Sequence, residues 1–531
     1  MTQTTGLPTD PEHDLTASYA LDPALVSRLT SRVVSSTGQA VTVHAPATGQ
    51  PLATVPQSSA EDVAAAYDRA RRAQRAWQQV PLDDRAAMLL RLHDLVLDRQ
   101  EEILDLICLE SGKARKHAFD EPLHVALTAR YYARTAHRHL DTRRHLGVIP
   151  RLTRVEVNRI AKGVVGIISP WNYPFTLALC DGIPALLAGN AVVIKPDAQT
   201  MLSALLGAQL LEEAGFPPDL WTVVAGPGSE IGPEMIARSD YVCFTGSTAT
   251  GRLIARQCAD RLIGCSLELG GKNPILVLRD ADIERAAEGA VRACFSNAGQ
   301  LCVSTERLLV ADQLYDRFVD RFVARTEAMS LGTSTDWGVD MGTLISQQQL
   351  DAVAHHVDDA VAKGATLRAG GRARPDLGPF FYEPTILEGV SPKMACFGEE
   401  TFGPVVSVYR FHDEADAVAR ANEGEYGLNA SVYSRDTRRA RAVARQIKCG
   451  TVNINEAFAA TFASIDAPMG GMRESGLGRR QGGEGIHRYT ETQSVASQAL
   501  LRFGPQFGMD DEQYAKTMTA SLRLLKKLGR A

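Results

Sequence analysis

Four short strings in this 531-residue sequence put reactive side chains where the backbone could aim them. NAGQLCVS (297–304) sets Cys302 on a glycine-containing loop behind a helix read over Ile283–Phe295, and a thiolate is both a strong nucleophile and a good leaving group. Most of the other cysteines lie in apolar runs, as with Cys108 in ILDLICLE and Cys243 in YVCF, where a thiol ordinarily serves as small apolar filler. LELGGK (267–272) places Glu268 inside an apolar strand before a Gly-Gly turn. A carboxylate there is rare unless paired or functional, and burial can raise its pKa towards that of a useful base. In SPWNYP (169–174), directly after a strand, two prolines fix the backbone around Asn172. Its amide could donate to a developing oxyanion or simply close a turn. FTGSTATG (244–251) passes from strand to helix through Gly246, Ser247 and Gly251, which reads as a tight turn or as a phosphate cradle at a helix N-terminus.

The elements that carry these strings follow from periodicity. After Gly163, short apolar runs (VVGIIS, AVVIK, WTVVA, YVCFT, CSLEL) alternate with helical stretches at Phe175–Leu187, Met201–Ala214, Glu230–Ala237 and Ala249–Cys258. Such alternation implies βαβ units and a parallel sheet covered on both faces. A second alternating block begins near Asn273, with strands around 305–310, 405–409, 428–433 and 450–454. No GxGxxG occurs, and GPGSEIG (226–232) has the wrong spacing for that fingerprint. Before the first block, helices are expected over 59–80, 82–112 and 122–139, after a short β segment at 44–56.

The expected architecture is α/β, with two doubly wound parallel domains and a small β oligomerisation element. Residues 1–40 read as an irregular arm, 41–147 with 161–273 as a dinucleotide-binding domain, and 274–485 as a catalytic domain. Strands within 148–160 and 486–500 could pair across a subunit boundary, giving a homodimer or a dimer of dimers. The tail 501–531 reads as amphipathic: Tyr514, Met518, Leu522 and Leu525 share a helix face, with Arg523, Lys526, Lys527 and Arg530 nearby. It suits docking on its own oligomer or contact with a membrane surface.

Composition narrows the partners. With 57 Lys+Arg against 62 Asp+Glu the net charge is −5, so no basic surplus exists to neutralise nucleic acid. Nine cysteines without a CxxC pair read as reduced thiols, which suits the cytoplasm. The N-terminus has no apolar signal core. Between Gly163 and Ile194 the only charge is Asp181, but Pro170, Pro174 and Pro184 break the run too often for a membrane-spanning helix.

Taken with GNAVVIKP (189–196), EETFGPV (399–405), GTVNIN (450–455) and PMGGMRESGLGRR (468–480), the four strings stand in the order found in one family. From about residue 40 to 500 the chain resembles the aldehyde dehydrogenase superfamily. Within it, CDGIPALLAGNAVVIKPD (180–197) and CFSNAGQLC (294–302) are most similar to the second, NADP-dependent type of bacterial succinate-semialdehyde dehydrogenase. The resemblance implies NAD(P)-dependent oxidation of a small aldehyde to its acid, with Cys302 as nucleophile, Glu268 as the base that activates water, and Asn172 in the oxyanion site. It also implies cofactor contacts at Ser169, Pro170, Trp171, Lys195, Gly246, Ser247, Gly251, Leu269, Glu400 and Phe402, and no metal.

Three departures bear on specificity. Where many relatives have a glutamate that binds the adenosine ribose, this chain has Ala198 after Lys195-Pro196-Asp197. Removing that carboxylate favours NADP over NAD. The arginines that grip a substrate carboxylate in better-known succinate-semialdehyde dehydrogenases match Cys180 and Ser296, and a common lysine matches Asp181. An apolar entrance formed by Phe175, Leu179 and Phe458 would instead suit an aromatic or medium-chain aldehyde. A CoA-acylating relative would generally lack Glu268, and a purely structural protein would need none of Cys302, Glu268 and Asn172.

Overall fold

Strands buried on both faces organise the molecule, and their order creates the crevice used below. The computed structural model describes residues 21–149, 152–332 and 335–529. In residues 1–139 with 161–490, one sheet has the order Gly476–Leu477, Gly264–Glu268, Tyr241–Thr245, Val164–Ile168, Ala191–Lys195, Trp221–Val223. All its pairs are parallel except the short Gly476–Leu477 strand, which runs antiparallel to Gly264–Glu268. From Val164–Ile168 the chain winds outward through two strands, then returns to lay Tyr241–Thr245 on the other side of its starting strand. Ligands of open α/β sheets bind at such a switch point, outside the carboxyl ends of the strands. Here its rim is formed by Ser169–Tyr173 and by Gly246–Ser247.

A second sheet has the order Thr366–Ala369, Thr385–Glu388, Val405–Phe411, Thr305–Ala311, Asn273–Val277, Asn429–Tyr433, Thr451–Ile454. It is parallel apart from Thr366–Ala369. One of its faces is filled by Phe295, Phe318 and Phe322 from the helices Ile283–Phe295 and Tyr315–Glu327. Both expected parallel blocks are therefore present.

Ahead of the first sheet come an antiparallel hairpin, Ala40–His44 with Pro51–Pro56, and the helices Ala60–Trp77, Leu82–Asp98, Gln100–Ser111 and Asp120–Leu140. The single helix expected over 82–112 is two, because Arg99 (φ −104°, ψ 23°) leaves the helical region. Two buried glutamates brace these helices to the sheet. Glu110 accepts hydrogen bonds from Leu202 N, Ser203 N and Ser203 Oγ at the start of helix Met201–Glu213. Glu121 accepts from Lys113 Nζ (2.5 Å), Phe175 N (2.9 Å) and Thr176 N (3.0 Å) at the start of helix Pro174–Leu187. A carboxylate at a helix N-terminus satisfies orphan N–H groups and the positive end of the dipole together.

Of the arm expected to be irregular, residues 1–20 lie outside the described residues, and the rest needs correction. Pro23–Thr30 is a helix, with Asp22 accepting from Ala24 N at 2.8 Å and proline in the first turn. At eight residues it is too short for its periodicity to stand out in the sequence.

Residues 140–160 with 491–531 form a separate unit. Its sheet has the order Thr490–Gln498, Thr153–Ala161, Arg143–His145, and Ile160 and Val495 are exposed. The tail forms helix Asp511–Lys527, closed at its start by a reciprocal Asp510–Gln513 capping box. Along it Tyr514, Met518 and Leu525 are half-buried and Leu522 is exposed; Arg530 lies outside the described residues.

Candidate active site

Cys302 owes its place to an unusual stretch of backbone. After helix Ile283–Phe295, three successive residues take left-handed conformations: Asn297 (φ 52°), Ala298 (φ 53°) and Gly299 (φ 71°). Such a conformation costs an L-residue about 1–2 kcal/mol, so neighbouring bonds must hold the bend. Asn297 Nδ2 donates to Asn172 O (3.1 Å) and Gln300 O (3.0 Å), while Gln300 Oε1 accepts from Ile345 N (2.9 Å). Asn172, nearly fully buried, donates through Nδ2 to Gln300 O at 3.0 Å. Asn273 Nδ2, at the start of its strand, donates to Cys302 O (2.8 Å) and Ser304 O (2.7 Å). Gly299 is obligatory in this packing, because a Cβ there would collide with Gly403 O.

Opposite, Glu268 ends strand Gly264–Glu268. Its Oε1 is buried without a hydrogen-bond partner among the described residues, and the nearby Arg480 Nε, 3.9 Å away, lacks one there too. Burial pushes the carboxyl up to about 7, with Arg480 opposing the rise. Burial and the neighbouring Glu268 push the Cys302 thiol up to about 12, so it rests as the neutral thiol. Both side chains face one cavity of about 260 Å³, whose wall also holds Pro170, Trp171, Asn172, Thr245, Gly246, Ser247, Leu269, Gly270, Gln349, Glu400 and Phe402.

Three expected contacts, Ser169, Lys195 and Gly251, lie off this wall. Ser169 is buried with its Oγ unpartnered, and its N donates to Lys195 O at 3.1 Å. Lys195 Nζ donates to its neighbour Pro196 O at 3.3 Å, and burial pulls its pKa down. Gly251 sits in helix Thr248–Asp260 against Leu269, where a Cβ would be 2.5 Å from the leucine Cδ2, so its smallness sets helix packing. Ser247 caps that helix, accepting from Thr250 N at 3.3 Å. A buried hydroxyl without a partner among the described residues, an ammonium hydrogen-bonded to a backbone carbonyl, and a helix N-terminus along one sheet edge together fit a phosphate-bearing dinucleotide.

The far wall shows what the sequence reading missed. Glu306, buried in strand Thr305–Ala311, pairs with Lys272 and accepts from Thr401 N and Phe402 N, each at 3.0 Å. It thereby holds Phe402 in its left-handed conformation (φ 51°), with Gln349 Nε2 donating to Phe402 O at 2.9 Å. The Phe402 ring meets Trp171 edge-on at 5.6 Å, and Glu400 accepts from Gly271 N at 2.8 Å. Glu306 carried the same signal as Glu268, a carboxylate in an apolar strand.

The expected apolar entrance needs correction. Phe175 and Leu179 are fully buried, and Leu179 packs against Gly207 of the next helix. Phe458 is buried as well, in a core cluster with Tyr173, Leu177, Leu301 and Val303, and none of the three expected entrance residues lines the cavity. Cys180 Sγ lies 3.2 Å from Thr176 Oγ1 and 3.3 Å from His124 Nδ1, and Ser296 Oγ donates to Arg292 O at 2.7 Å. Asp181 is enclosed by Arg480 Nη2 (2.8 Å) and Arg488 Nη2 (2.7 Å).

Comparison with known proteins places this geometry. The model of the aldehyde dehydrogenase family matches residues 33–495. A Mycolicibacterium smegmatis protein, provisionally named an NADP+ succinate-semialdehyde dehydrogenase, is 51% identical over 481 residues, 91% of this chain and 93% of its own. The NADP+ succinate-semialdehyde dehydrogenase GabD of Escherichia coli K12 is 38% identical over 86% of this chain and 94% of its own. The NAD+ complex of Staphylococcus aureus betaine aldehyde dehydrogenase superposes with a TM-score of 0.84 at 32% identity, covering 90% and 95% of the two chains. A family match across nearly the whole described chain, joined to a thiol and a buried carboxylate facing one cavity at a sheet switch point, leaves one conclusion: this chain belongs to the aldehyde dehydrogenase family.

Proposed function

We propose that this enzyme oxidises succinate semialdehyde to succinate with NADP, through a thiohemiacetal and then a thioester on Cys302. The observation that carries the chemistry is the pairing of Cys302 with a buried Glu268 whose free oxygen faces the same cavity. Cys302 gives up its proton to water as Sγ adds to the aldehyde carbon, and the Asn172 amide would donate to the oxygen that becomes anionic. NADP, when bound, would supply a hydride acceptor, by which the thiohemiacetal on Cys302 would become the thioester. Glu268 then takes a proton from water, the oxygen adds to the thioester carbon, and the Cys302 thiolate leaves as the acid forms.

NADP is favoured because Ala198 offers no carboxylate to repel a 2′-phosphate, while the Asp197 carboxylate is turned to Gln199 N (3.0 Å). Ser169, Lys195 and Ser247 would hold the adenosine end, and Glu400 and Phe402 the nicotinamide end. In this reading 41–147 with 161–273 bind the dinucleotide and 274–485 carry the nucleophile. The strands of 148–160 and 486–500 join subunits of a cytoplasmic homodimer or dimer of dimers, where the tail docks as well.

The names of the relatives support succinate semialdehyde, and Arg292 offers a guanidinium for its carboxylate. It lies one helical turn before Ser296 and 5.4 Å from the Phe458 ring, pairs with Asp120 at 3.9 Å and Glu456 at 3.7 Å, and lines a cavity neighbouring Ser296 that is separate from the one faced by Cys302. A panel of succinate semialdehyde, butanal and benzaldehyde, followed by NADPH formation, tests the substrate. Succinate semialdehyde should exceed butanal in kcat/KM by at least about tenfold, the loss of one charge-assisted contact. Equal use of butanal or benzaldehyde would make the enzyme an aromatic or medium-chain aldehyde dehydrogenase.

A further inference from the structure

We propose that Arg480, anchored by Asp181, is a positioning residue that holds Glu268 ready as the ionised base. This inference rests on the assignment of Glu268 as the water-activating base. Arg480 comes from the segment after strand Gly476–Leu477, which pairs with the very strand that ends in Glu268. The Arg480 side chain is buried, and its Nη2 is taken up by Asp181 (2.8 Å) and Thr245 Oγ1 (3.2 Å). Arg488 Nη2 holds the other Asp181 oxygen at 2.7 Å and also donates to Tyr489 Oη at 2.6 Å. Two guanidinium groups thus share one aspartate, which leaves a positive surplus beside the second carboxylate.

That surplus is aimed. Among the described residues Arg480 Nε and Glu268 Oε1 have no hydrogen-bond partner, and they stand 3.9 Å apart. Neither buried group is satisfied, so each lies just beyond a direct bond to the other. The separation leaves the Glu268 oxygen free to take a proton, while the guanidinium still favours the charged form over the neutral one. A full bond at 2.8 Å would make Glu268 a brace instead. Arg480 itself cannot relay the proton, since a guanidinium stays protonated. The groups facing Glu268 are Arg480, Arg479 and Arg488 on the favourable side, and Asp181 and Cys302 on the other.

The experiment is the pH profile of steady-state kcat for the full-length enzyme with saturating NADP and succinate semialdehyde. It is set beside the pre-steady-state burst of NADPH, which reports the step before Glu268 acts. Arg480→Gln should keep the burst and move the acid limb of kcat up by about one pH unit or more. Asp181→Asn should move it down, because a negative charge beside Glu268 is lost while Arg480 remains. Arg480→Lys should restore most of the wild-type midpoint. Should Arg480→Gln prove insoluble, Arg480→Met is read in its place, and the same upward shift of the acid limb decides. An acid limb that stays in place, with activity falling only in proportion to folded protein, would reduce Arg480 to scaffolding and overturn the proposal. Absence of any burst from the wild-type enzyme would instead overturn the assignment of Glu268 and Cys302.

Discussion

Glu121 and Glu268 are both buried glutamates, but the regions around them are built to opposite ends. Glu121 is saturated by an ammonium and two backbone N–H groups, as Glu110 and Glu306 are by their own partners. Around Glu268 the packing is equally tight, yet one oxygen is left bare and its nearest cation is kept at 3.9 Å. A buried carboxylate with every lone pair engaged ties elements together, and burying it is repaid by those bonds. One with a spare lone pair is held in a less stable state, and its affinity for a proton is what the proposed mechanism draws on.

The largest test concerns the thiols, where the same contrast recurs. Cys302→Ala should lower turnover to background, by a factor of about a thousand or more. Cys294→Ala, eight residues earlier in the hydrophobic core, should retain most activity and lose stability instead. Comparable losses in both would break the distinction between a presented and a packed cysteine.

Next come the carboxylates. Glu268→Gln should slow steady-state turnover by about 10²–10⁴ while preserving the NADPH burst and leaving the unfolding midpoint nearly unchanged. Glu121→Gln should lower stability by about 3–5 kcal/mol in a denaturant titration, because it strands a buried Lys113. Should Glu268→Gln abolish the burst as well, the carboxylate also takes the Cys302 proton.

Two smaller effects sharpen the picture. With ionised Glu268 as the proposed base, kcat should rise with pH through a midpoint near 7, and activity fall below it as the carboxylate is protonated. A midpoint close to the ordinary glutamate value of 4.5 would mean that burial does not govern the group. Ala198→Glu puts a carboxylate on a half-buried turn with no brace, so it acts through charge alone. It should shift the NADP to NAD ratio of kcat/KM about tenfold towards NAD, or about 1.4 kcal/mol. No change would show that position 198 does not face the ribose.

Local strings made much of this legible. Glu268 stood out as a carboxylate within an apolar strand and Cys302 as a cysteine outside one, whereas Asn172 read equally as a turn residue and drew its expected role from the family resemblance; the strand–helix alternation was visible from hydrophobic runs. The Arg480–Asp181 pair was not, because its members are far apart in sequence and each charge looks ordinary until the fold joins them. Phe175 and Leu179 were assigned to the entrance because composition marks a helix as apolar without fixing which face it turns to a cavity. Helix Pro23–Thr30 was missed because two turns give too little pattern to read.

Gly299 has a consequence for the lineage that carries this chain. A methyl group there would strike the carbonyl of Gly403, and a methyl on Gly403 would strike Val353. The peptide that presents the nucleophile and the one that follows Phe402 are therefore neighbours with no room between them. Enlarging residue 299 would need the Gly403 carbonyl to retreat, whereas enlarging residue 403 would need only the Val353 side chain to move. Innovation in substrate choice is thus directed away from this seam, towards the walls of the cavity that have space to change.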